Sequence, residues 1–303
     1  MRIVHLLDAM ELAVGEIALV VGQSQPRVSR HIRILVDAGL VERRKEGSWV
    51  FLSICSEGPA RALGSFLHAA PPSAEEMLWI EADLARLAAV RAERARTAEQ
   101  YFATYAEQWD ALRSLHAPEA DVEAAMSAIL SGEPLGRLID IGTGTGRIAT
   151  IFAARAEQVL GIDRSAEMLR LARGKLAEEA TGKVRFMAGD FYDLPAGTAS
   201  ADTAVLHQVL HYAQAPETAI AETARVLAPG GRLLVVDFAP HEHEELRLRD
   251  AHARLGFSDR QMGGWFAAAG LDMVAIDALA GETLTVKLWL GRKGAGTSKL
   301  VAS

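Results

Sequence analysis

The sequence predicts an α/β fold with a doubly wound parallel sheet, preceded by a smaller α+β domain. In the second half of the chain, short apolar runs alternate with helical segments, which is typical of parallel strands joined by crossover helices. The first run, LIDIGTGTGRIA, ends in a loop that holds Gly142, Gly144 and Gly146 and opens a helix. Three glycines this close together indicate that the backbone approaches another group. Residues 1–58 show a different pattern, of helices followed by a hairpin.

The composition is that of a globular protein with room for two ordinary domains. The 303 residues are 50% hydrophobic and 23% charged. The net charge of -7 argues against general coating of nucleic acid, and the single cysteine, Cys55, excludes an intramolecular disulfide. The sequence has neither an uncharged apolar run of membrane-spanning length nor a signal-peptide pattern. We therefore expect a cytoplasmic protein that does not enter a membrane.

Each predicted strand of the α/β domain is a short apolar run with a polar residue or glycine near its end. In chain order the runs are RLIDIG, VLGID, VRFMAGD, ADTAVLH, RLLVVDF and LTVKLWLG. Because helical segments separate the early runs, these strands are expected to be parallel.

Acidic residues stand at the ends of the first three predicted strands: Asp140, Asp163 and Asp190. Open α/β sheets bind their ligands at these strand ends. A dinucleotide-binding loop would carry a third glycine three residues after the second, but Arg147 occupies that position. One carboxylate can accept hydrogen bonds from both ribose hydroxyls of a nucleoside, and another can accept from an adenine amino group. The pattern favours a nucleoside that carries no phosphate, and the alternative is that each acid only caps the following helix.

Four motifs resemble those of the class I S-adenosylmethionine-dependent methyltransferases, in the branch similar to ubiquinone/menaquinone biosynthesis enzymes. They are LIDIGTGTGRIA, GIDRSAEML, MAGDFYDLP and RVLAPGGRLLVVDF, and the resemblance covers residues 98–290. It implies a Rossmann-like fold, S-adenosylmethionine as the cofactor and S-adenosylhomocysteine as its product. It also implies a set of cofactor-binding residues, which are Tyr101, Asp140, Gly142, Thr143, Gly144, Gly146, Asp163, Arg164, Met168, Gly189, Asp190, Phe191 and His207.

The resemblance also assigns roles within this set. The glycine loop would meet the methionine end of the cofactor, and Asp163 would hold the ribose. Asp190 would bind the adenine, together with Phe191 and Met168. The segment YFATYAEQWD resembles the N-terminal lid of the family, with Tyr101 as the residue that covers the site.

The catalytic residue is the least readable part, because a methyl group on a sulfonium needs an aligned acceptor and exclusion of water more than a base. The candidates for taking a proton are His207, His211 and His241. His207 and His211 lie four residues apart, on one face if this stretch is helical. His241 or His252 is expected to contact the acceptor rather than a metal, and no metal site is predicted.

The N-terminal region has the layout of a winged helix-turn-helix. A helix in AVGEIALVVG ends at Gly22, a second helix opens at Ser24 and ends at Gly39, and a hairpin turns around Glu46 and Gly47. The stretch 27–45 holds six basic and two acidic residues, which gives a local charge of +4. The predicted DNA-contacting residues are Ser24, Gln25, Arg27, Ser29, Arg30, His31, Arg43, Arg44 and Lys45. The alternative is a solvated charged face on a domain that only dimerises.

Residues 2 to about 55 resemble the ArsR/SmtB-type winged-helix repressors. Members of this family usually have a further helix before the point at which this chain begins. The metal-sensing members carry cysteines in the helix before the turn, where this chain has Ala13 and Gly15, so thiolate binding of arsenite or zinc is not expected. Double-stranded operator DNA is the expected partner.

A long helix is predicted over residues 73–113, with Met77, Ile80, Leu84 and Leu87 on one seam. It is either a connecting helix or the contact of a homodimer, and we expect the homodimer. The predicted domain boundaries are a winged helix-turn-helix at 1–58, a helical linker and dimerisation helix at 59–113, a methyltransferase domain at 114–292 and a flexible tail at 293–303.

Together these features predict a methyltransferase of a small-molecule acceptor, fused to a winged-helix transcriptional regulator. The alternative is a regulator that senses S-adenosylmethionine or S-adenosylhomocysteine without turnover. Both functions need an intact cofactor site, so the cofactor motifs do not distinguish them.

Overall fold

The computed structural model describes most of the chain and divides it into two compact units. Residues 1–97 with 242–244 form the first unit, and residues 98–241 with 245–303 form the second. The boundary falls inside the segment assigned above to the linker. The described residues are 2–46, 48–55, 59–60, 73–109, 118–179, 182–281 and 283–295. The predicted tail beyond residue 295, the hairpin residue Gly47 and the last residues of the predicted long helix therefore lie outside them.

The first unit contains the predicted helix-turn-helix and hairpin. Its helices are α1 (Arg2–Ala9), α2 (Val14–Val21) and α3 (Gln25–Asp37), and its strands are β1 (Leu12–Ala13), β2 (Val41–Glu46) and β3 (Trp49–Ile54). The strands form one antiparallel sheet in the order β1-β3-β2. Helix α2 stops at Gly22, whose φ of 66° is the left-handed conformation that glycine adopts without strain. The predicted turn between the two helices is thereby confirmed.

A long helix, α4 (Ala74–Tyr105), begins in the first unit and continues into the second. Its Asp83 is buried and accepts from Arg2 Nε at 2.7 Å and from Arg86 Nη1 at 3.0 Å. Leu87 is also buried, whereas Met77 and Leu84 on the same seam are about two-fifths exposed. The first unit therefore uses one end of the seam itself and leaves the other end on its surface.

The second unit is built on a seven-stranded sheet in the order β6-β5-β4-β7-β8-β10-β9. The first five strands in this order are parallel, and β10 and β9 are antiparallel to their neighbours. The strands are β4 (Arg137–Ile141), β5 (Gln158–Asp163), β6 (Val184–Ala188), β7 (Ala201–His207), β8 (Leu227–Phe238), β9 (Leu271–Ala280) and β10 (Thr285–Lys293).

The six predicted strands are confirmed, but the expectation of a parallel sheet is wrong for its last part. Strand β10 follows the hairpin from β9 and therefore runs antiparallel to β8. The sequence pattern does not predict β9. It is an edge strand whose Val274 and Ile276 are about half exposed, so its apolar residues do not form the buried run that marks the central strands.

Helices cover the faces of the sheet and bury two apolar cores. One core surrounds Phe152 and Phe238, and the other surrounds Phe266 and Trp289. The helices of this unit after α4 are α5 (Glu119–Ile129), α6 (Arg147–Ala153), α7 (Ala166–Glu179), α8 (Pro216–Val226), α9 (Glu245–Arg249) and α10 (Asp259–Ala268). None of the helices in the described part of the chain has both the length and the hydropathy needed to cross a membrane.

Gly161 of β5 gives a direct test of the packing beneath the glycine loop. A Cβ there would lie 2.5 Å from Phe186 Cδ1 and 2.8 Å from Thr143 Oγ1. We expect Gly161→Ala to lower the free energy of unfolding by about 1–3 kcal/mol, because the added methyl group would overlap both neighbours and force them to shift. Gly174→Ala on α7 is the control, since its Cβ would meet open space and should stabilise the helix by about 0.5–1 kcal/mol. Urea unfolding measures both, and equal effects of the two substitutions would contradict the packing described.

Candidate functional site

The glycine loop follows β4 and opens helix α6. Gly142, Gly144 and Gly146 have φ values of 70°, 54° and 81°, a conformation that disfavours other residues. The backbone nitrogen of Gly142 donates to Ile162 O at 2.8 Å, which ties the loop to the neighbouring strand. A side chain on Gly142 would overlap Val209. The loop thus needs glycine for conformation and for space.

Asp140 lies beneath this loop and is 1% exposed. Its Oδ2 accepts from Thr143 Oγ1 at 2.5 Å and from the backbone nitrogen of Ala149 at 3.1 Å. The carboxylate therefore shapes the loop and the first turn of α6 from inside the protein. Asp140 therefore fixes the conformation of the loop backbone.

Asp163 ends β5 and holds the other side of the loop. Its Oδ2 accepts from the backbone nitrogen of Gly144 at 2.8 Å, and its Oδ1 accepts from that of Ser165 at 2.8 Å. Desolvation by burial raises the pKa of this carboxyl above its usual value, and the backbone donors oppose the shift. A carboxylate has about four lone-pair sites, so the group can accept a further hydrogen bond beside those from the backbone nitrogens of Gly144, Ser165 and Arg164.

Asp190 lies just beyond β6, next to Asp163 across the sheet, because Asp163 pairs with Ala188. Its Oδ1 accepts from the backbone nitrogen of Tyr192 at 2.9 Å, and its Oδ2 lies 3.7 Å from an Arg164 guanidinium nitrogen. Gly189 donates its backbone N–H to Asp163 O at 3.0 Å.

Two apolar side chains of the predicted adenine site belong to the same part of the second unit. Phe191, half-buried, is the residue after Asp190, and Met168 of α7 is buried. The acids Asp163 and Asp190 themselves lie at the carboxyl ends of the adjacent parallel strands β5 and β6.

An aromatic group covers the glycine loop. Trp109 Nε1 lies 3.5 Å from the point where a Cβ on Gly144 would stand. The rings of Phe102 and Trp109 have centroids 5.2 Å apart, and those of Phe102 and Tyr212 have centroids 4.7 Å apart. Tyr101, predicted as the covering residue, donates its hydroxyl to Asp250 Oδ1 at 3.0 Å, and burial raises its pKa. Trp109 therefore contacts the loop at Gly144, whereas the sequence predicts Tyr101 as the covering residue.

A buried histidine–aspartate pair stands beyond the end of β7. His211 Nδ1 lies 2.8 Å from Asp237 Oδ1, and the two side chains are 3% and 0% exposed. Asp237 also accepts from the backbone nitrogens of His211, at 3.1 Å, and Phe238, at 2.8 Å. A carboxylate with this donor set orients Nδ1 as the protonated nitrogen and leaves Nε2 with its lone pair. The pair can therefore accept a proton at Nε2.

The other histidines considered as candidates differ in their burial and in their ring contacts. His252 is buried, with its ring centroid 4.1 Å from that of His211. His241 lies beyond β8, with its ring 6.1 Å from that of Phe238, and His207 is the half-buried last residue of β7. Among the candidate bases, His211 is hydrogen-bonded to the carboxylate of Asp237. Within the described ranges, no group of three or more His, Cys, Asp or Glu could hold a metal ion.

In the first unit, helix α3 presents its polar face to solvent. Val28 and Ile32 are buried, whereas Ser29 is half-buried. The exposed members of the predicted DNA-contacting set are Ser24, Gln25, Arg27, Arg30, His31, Arg43 and Lys45.

Arg44 differs from these residues. Its guanidinium is paired with Glu11, at 2.9 Å, and with Glu46, and it lies 5.0 Å from the centre of the Phe51 ring. Arg44 thus stabilises the hairpin from within the unit through its bonds to Glu11 and Glu46.

The sheet, the glycine loop and the strand-end acids define a nucleoside-binding α/β protein of the class I methyltransferase type. Residues 139–235 match the family model described as "Methyltransferase domain", and residues 1–43 match that of the "Bacterial regulatory protein, arsR family". The uncharacterized methyltransferase GK2543 of Geobacillus kaustophilus is 31% identical over 166 residues, which are 52% of this chain and 75% of the relative. The chain belongs to the methyltransferase family, and it carries an ArsR-type helix-turn-helix at its N-terminal end.

Two further relatives indicate the branch and the fold. The ubiquinone/menaquinone biosynthesis C-methyltransferase UbiE of Syntrophotalea carbinolica is 39% identical over 34% of this chain and 44% of its own length. This chain spans less than two thirds of that relative. The crystal structure of Burkholderia thailandensis 1,6-didemethyltoxoflavin-N1-methyltransferase, with S-adenosylhomocysteine bound, superposes with a TM-score of 0.54 at 22% identity, covering 67% of this chain and 89% of the other. That likeness confirms the Rossmann-like fold.

Proposed function

We propose that the second unit is an S-adenosylmethionine-dependent methyltransferase of a small-molecule acceptor, and that the first unit binds operator DNA. The observation that carries the enzymatic part is the arrangement of Asp163 against the glycine loop. This carboxylate accepts from the backbone nitrogens of Gly144 and Ser165 and offers its two acceptor oxygens at the strand end for the ribose hydroxyls. S-adenosylhomocysteine is the ligand of the Burkholderia neighbour and the expected product here.

The residues of the site fit this cofactor in three respects. The loop backbone is bare where a Cβ on Gly144 would face Trp109, which provides the cradle for an amino acid end. Asp163 is the ribose acceptor, and Asp190 can accept from the adenine amino group. Phe191 and Met168 supply the apolar surface beside the adenine. The site contains no cluster of basic side chains among its predicted contacts, as expected for a nucleoside without phosphate.

The bound cofactor supplies an activated methyl group on a sulfonium. The protein has to hold the acceptor in line with that methyl, exclude water and remove one proton from the acceptor. The aromatic group at Phe102, Trp109 and Tyr212 excludes water from above the loop. His211 takes the acceptor proton at Nε2, and Asp237 stabilises the resulting imidazolium.

Methyl transfer tests this proposal. The full chain is incubated with S-adenosylmethionine labelled on its methyl group and with a panel of small phenols, quinols and amines, and label is followed into the organic products. Transfer to an acceptor together with formation of S-adenosylhomocysteine supports an enzyme. Cofactor binding without transfer to any member of the panel would favour the alternative, a regulator that senses the cofactor.

The regulatory part of the proposal depends on α3 and the hairpin. Five exposed side chains from α3 and its start, together with Arg43 and Lys45, offer hydrogen-bond donors and positive charge on an otherwise acidic protein. We further propose a homodimer, supported by the exposed end of the α4 seam at Met77 and Leu84, because paired winged helices read paired half-sites. A cytoplasmic location follows from this partner.

Arg30→Ala should weaken the complex with the protein's own promoter fragment by about 1–3 kcal/mol, which is about 5- to 150-fold in the dissociation constant. Because Arg30 is exposed on α3, its truncation is expected to leave the unit folded. Fluorescence anisotropy at one fixed salt concentration measures the effect. Arg170→Ala, at an exposed position on α7 of the other unit, is the matched control. Equal affinities of the two variants would contradict the assignment of α3 as the recognition helix.

A further inference from the structure

The first unit contains a cavity of about 830 Å³ that the proposed functions do not use. It opens between the start of α2, the start of β3 at the turn of the hairpin, and helix α4. Its volume is within the range of about 300–1,000 Å³ that is typical of sites for small organic ligands. Most of its lining is apolar, with the Trp49 ring and the side chains of Val14, Leu19 and Val50.

Two charged residues, Glu16 and Arg86, line this cavity, and they differ in burial and in their hydrogen bonds. Glu16 is buried, and its Oε2 accepts from the backbone nitrogen of Ala13 at 2.7 Å at the start of α2. Its negative charge is therefore balanced locally by the N-terminal end of that helix. Arg86 is 54% exposed, and among the described residues its Nη1 donates to Val20 O at 3.3 Å and to Asp83 Oδ1 at 3.0 Å. Its guanidinium has further donors for an anionic group.

The cavity lies between the two elements that are proposed to contact DNA. Gln25, the first residue of α3, lines it, and its Nε2 stands 3.1 Å from the point where a Cβ on Gly15 would lie. Ser48 and Trp49 bring the end of the hairpin to the opposite side. The amide of a predicted base-contacting residue is thus folded against α2, inside the cavity. A ligand in this space has to displace it or hold it there.

We propose that this cavity is an effector site for a small amphipathic organic anion. The planar apolar body of the ligand would lie against Trp49, Val50 and Leu19, and its acidic group would bind Arg86. Occupancy would change the position of Gln25 relative to the hairpin and so change the affinity for DNA. The regulatory consequence rests on the proposed DNA-binding function, whereas the binding site does not.

Anilinonaphthalene sulfonate is a suitable probe, because it combines a planar apolar body with one anionic group. Its fluorescence is titrated with the full chain in the absence of DNA. We expect saturable binding of one probe per chain by the wild type and several-fold weaker binding by Arg86→Gln. In Ala89→Trp the indole fills the cavity, and we expect at least about tenfold weaker binding. Ala85→Trp carries the same side chain on an exposed position of α4 outside the lining and should bind the probe like the wild type.

The outcomes separate the site from the function that it would regulate. Absence of saturable binding by the wild type, or equal binding by Ala89→Trp, would overturn the proposal. Sedimentation of all variants tests whether a second copy of this chain, rather than a small ligand, covers the cavity. Loss of a dimer in Ala89→Trp, with Ala85→Trp still dimeric, would make the cavity an interface between copies and would also overturn the proposal.

Anisotropy with the promoter fragment then tests regulation. The probe should shift the affinity of the wild type for DNA and leave that of Ala89→Trp unchanged. Probe binding by a chain that does not bind DNA would contradict the regulator alone.

Discussion

Replacing His211 by asparagine should lower kcat for methyl transfer by about 10²- to 10⁴-fold, the usual contribution of a positioned general base. The side-chain amide of asparagine can still donate to Asp237 as Nδ1 does, so the buried carboxylate keeps a partner. The proton acceptor at Nε2 is removed. The predicted cofactor contacts Asp163 and Asp190 follow β5 and β6, whereas His211 follows β7. The affinity for S-adenosylmethionine should therefore change little.

Two further variants make this result specific. Asp237→Asn should lose activity as well, since the amide no longer fixes the protonated nitrogen of His211. His243→Asn, in the segment after β8, is the control and should retain wild-type kcat. Labelled methyl transfer measures all three, with thermal unfolding to verify folding. A fully active and folded His211→Asn variant would remove His211 as the base and leave catalysis to alignment alone.

The second large effect is expected at Asp163. Asp163→Ala removes a charge-assisted hydrogen-bond acceptor for the ribose, which is worth about 1.5–3 kcal/mol, or about 10- to 150-fold in the dissociation constant for S-adenosylmethionine. It also removes the acceptor of the Gly144 nitrogen and so loosens the loop. Calorimetric titration measures the affinity.

Asp202→Ala is the matched control for this substitution. Asp202 is a half-buried acid near the start of β7 and is paired with Arg137 at 2.9 Å. It therefore lies at the opposite end of the parallel strands from Asp163. Its loss should leave the affinity unchanged. An unchanged affinity in Asp163→Ala would instead refute the ribose assignment.

The parts of the site that the sequence could predict are those encoded locally. An acid at the end of an apolar run and glycines in the next loop lie within a dozen residues, so strand, loop and helix start can be read together. Asp140, Asp163 and the glycine loop follow this rule. The burial of Asp140 beneath the loop did not follow from it, because a strand-end acid can face either the ligand or the helix start.

The parts that the sequence could not predict depend on which strands are neighbours. His211 and Asp237 are 26 residues apart and meet because β7 and β8 are adjacent and parallel. In the sequence, the signal for this pair is Asp237, the next-to-last residue of RLLVVDF. Likewise, Arg44 counts as a basic residue of the hairpin in the sequence, yet Glu11 from another part of the unit engages it. Such pairings are properties of the packed structure.

The most direct test of the central claim is calorimetric titration of the wild-type chain with S-adenosylmethionine and, separately, with NADH. The glycine loop, the ribose acid and the absence of a third fingerprint glycine predict one equivalent of S-adenosylmethionine per chain and much weaker binding of NADH. Tighter binding of NADH than of S-adenosylmethionine would contradict the account of this site.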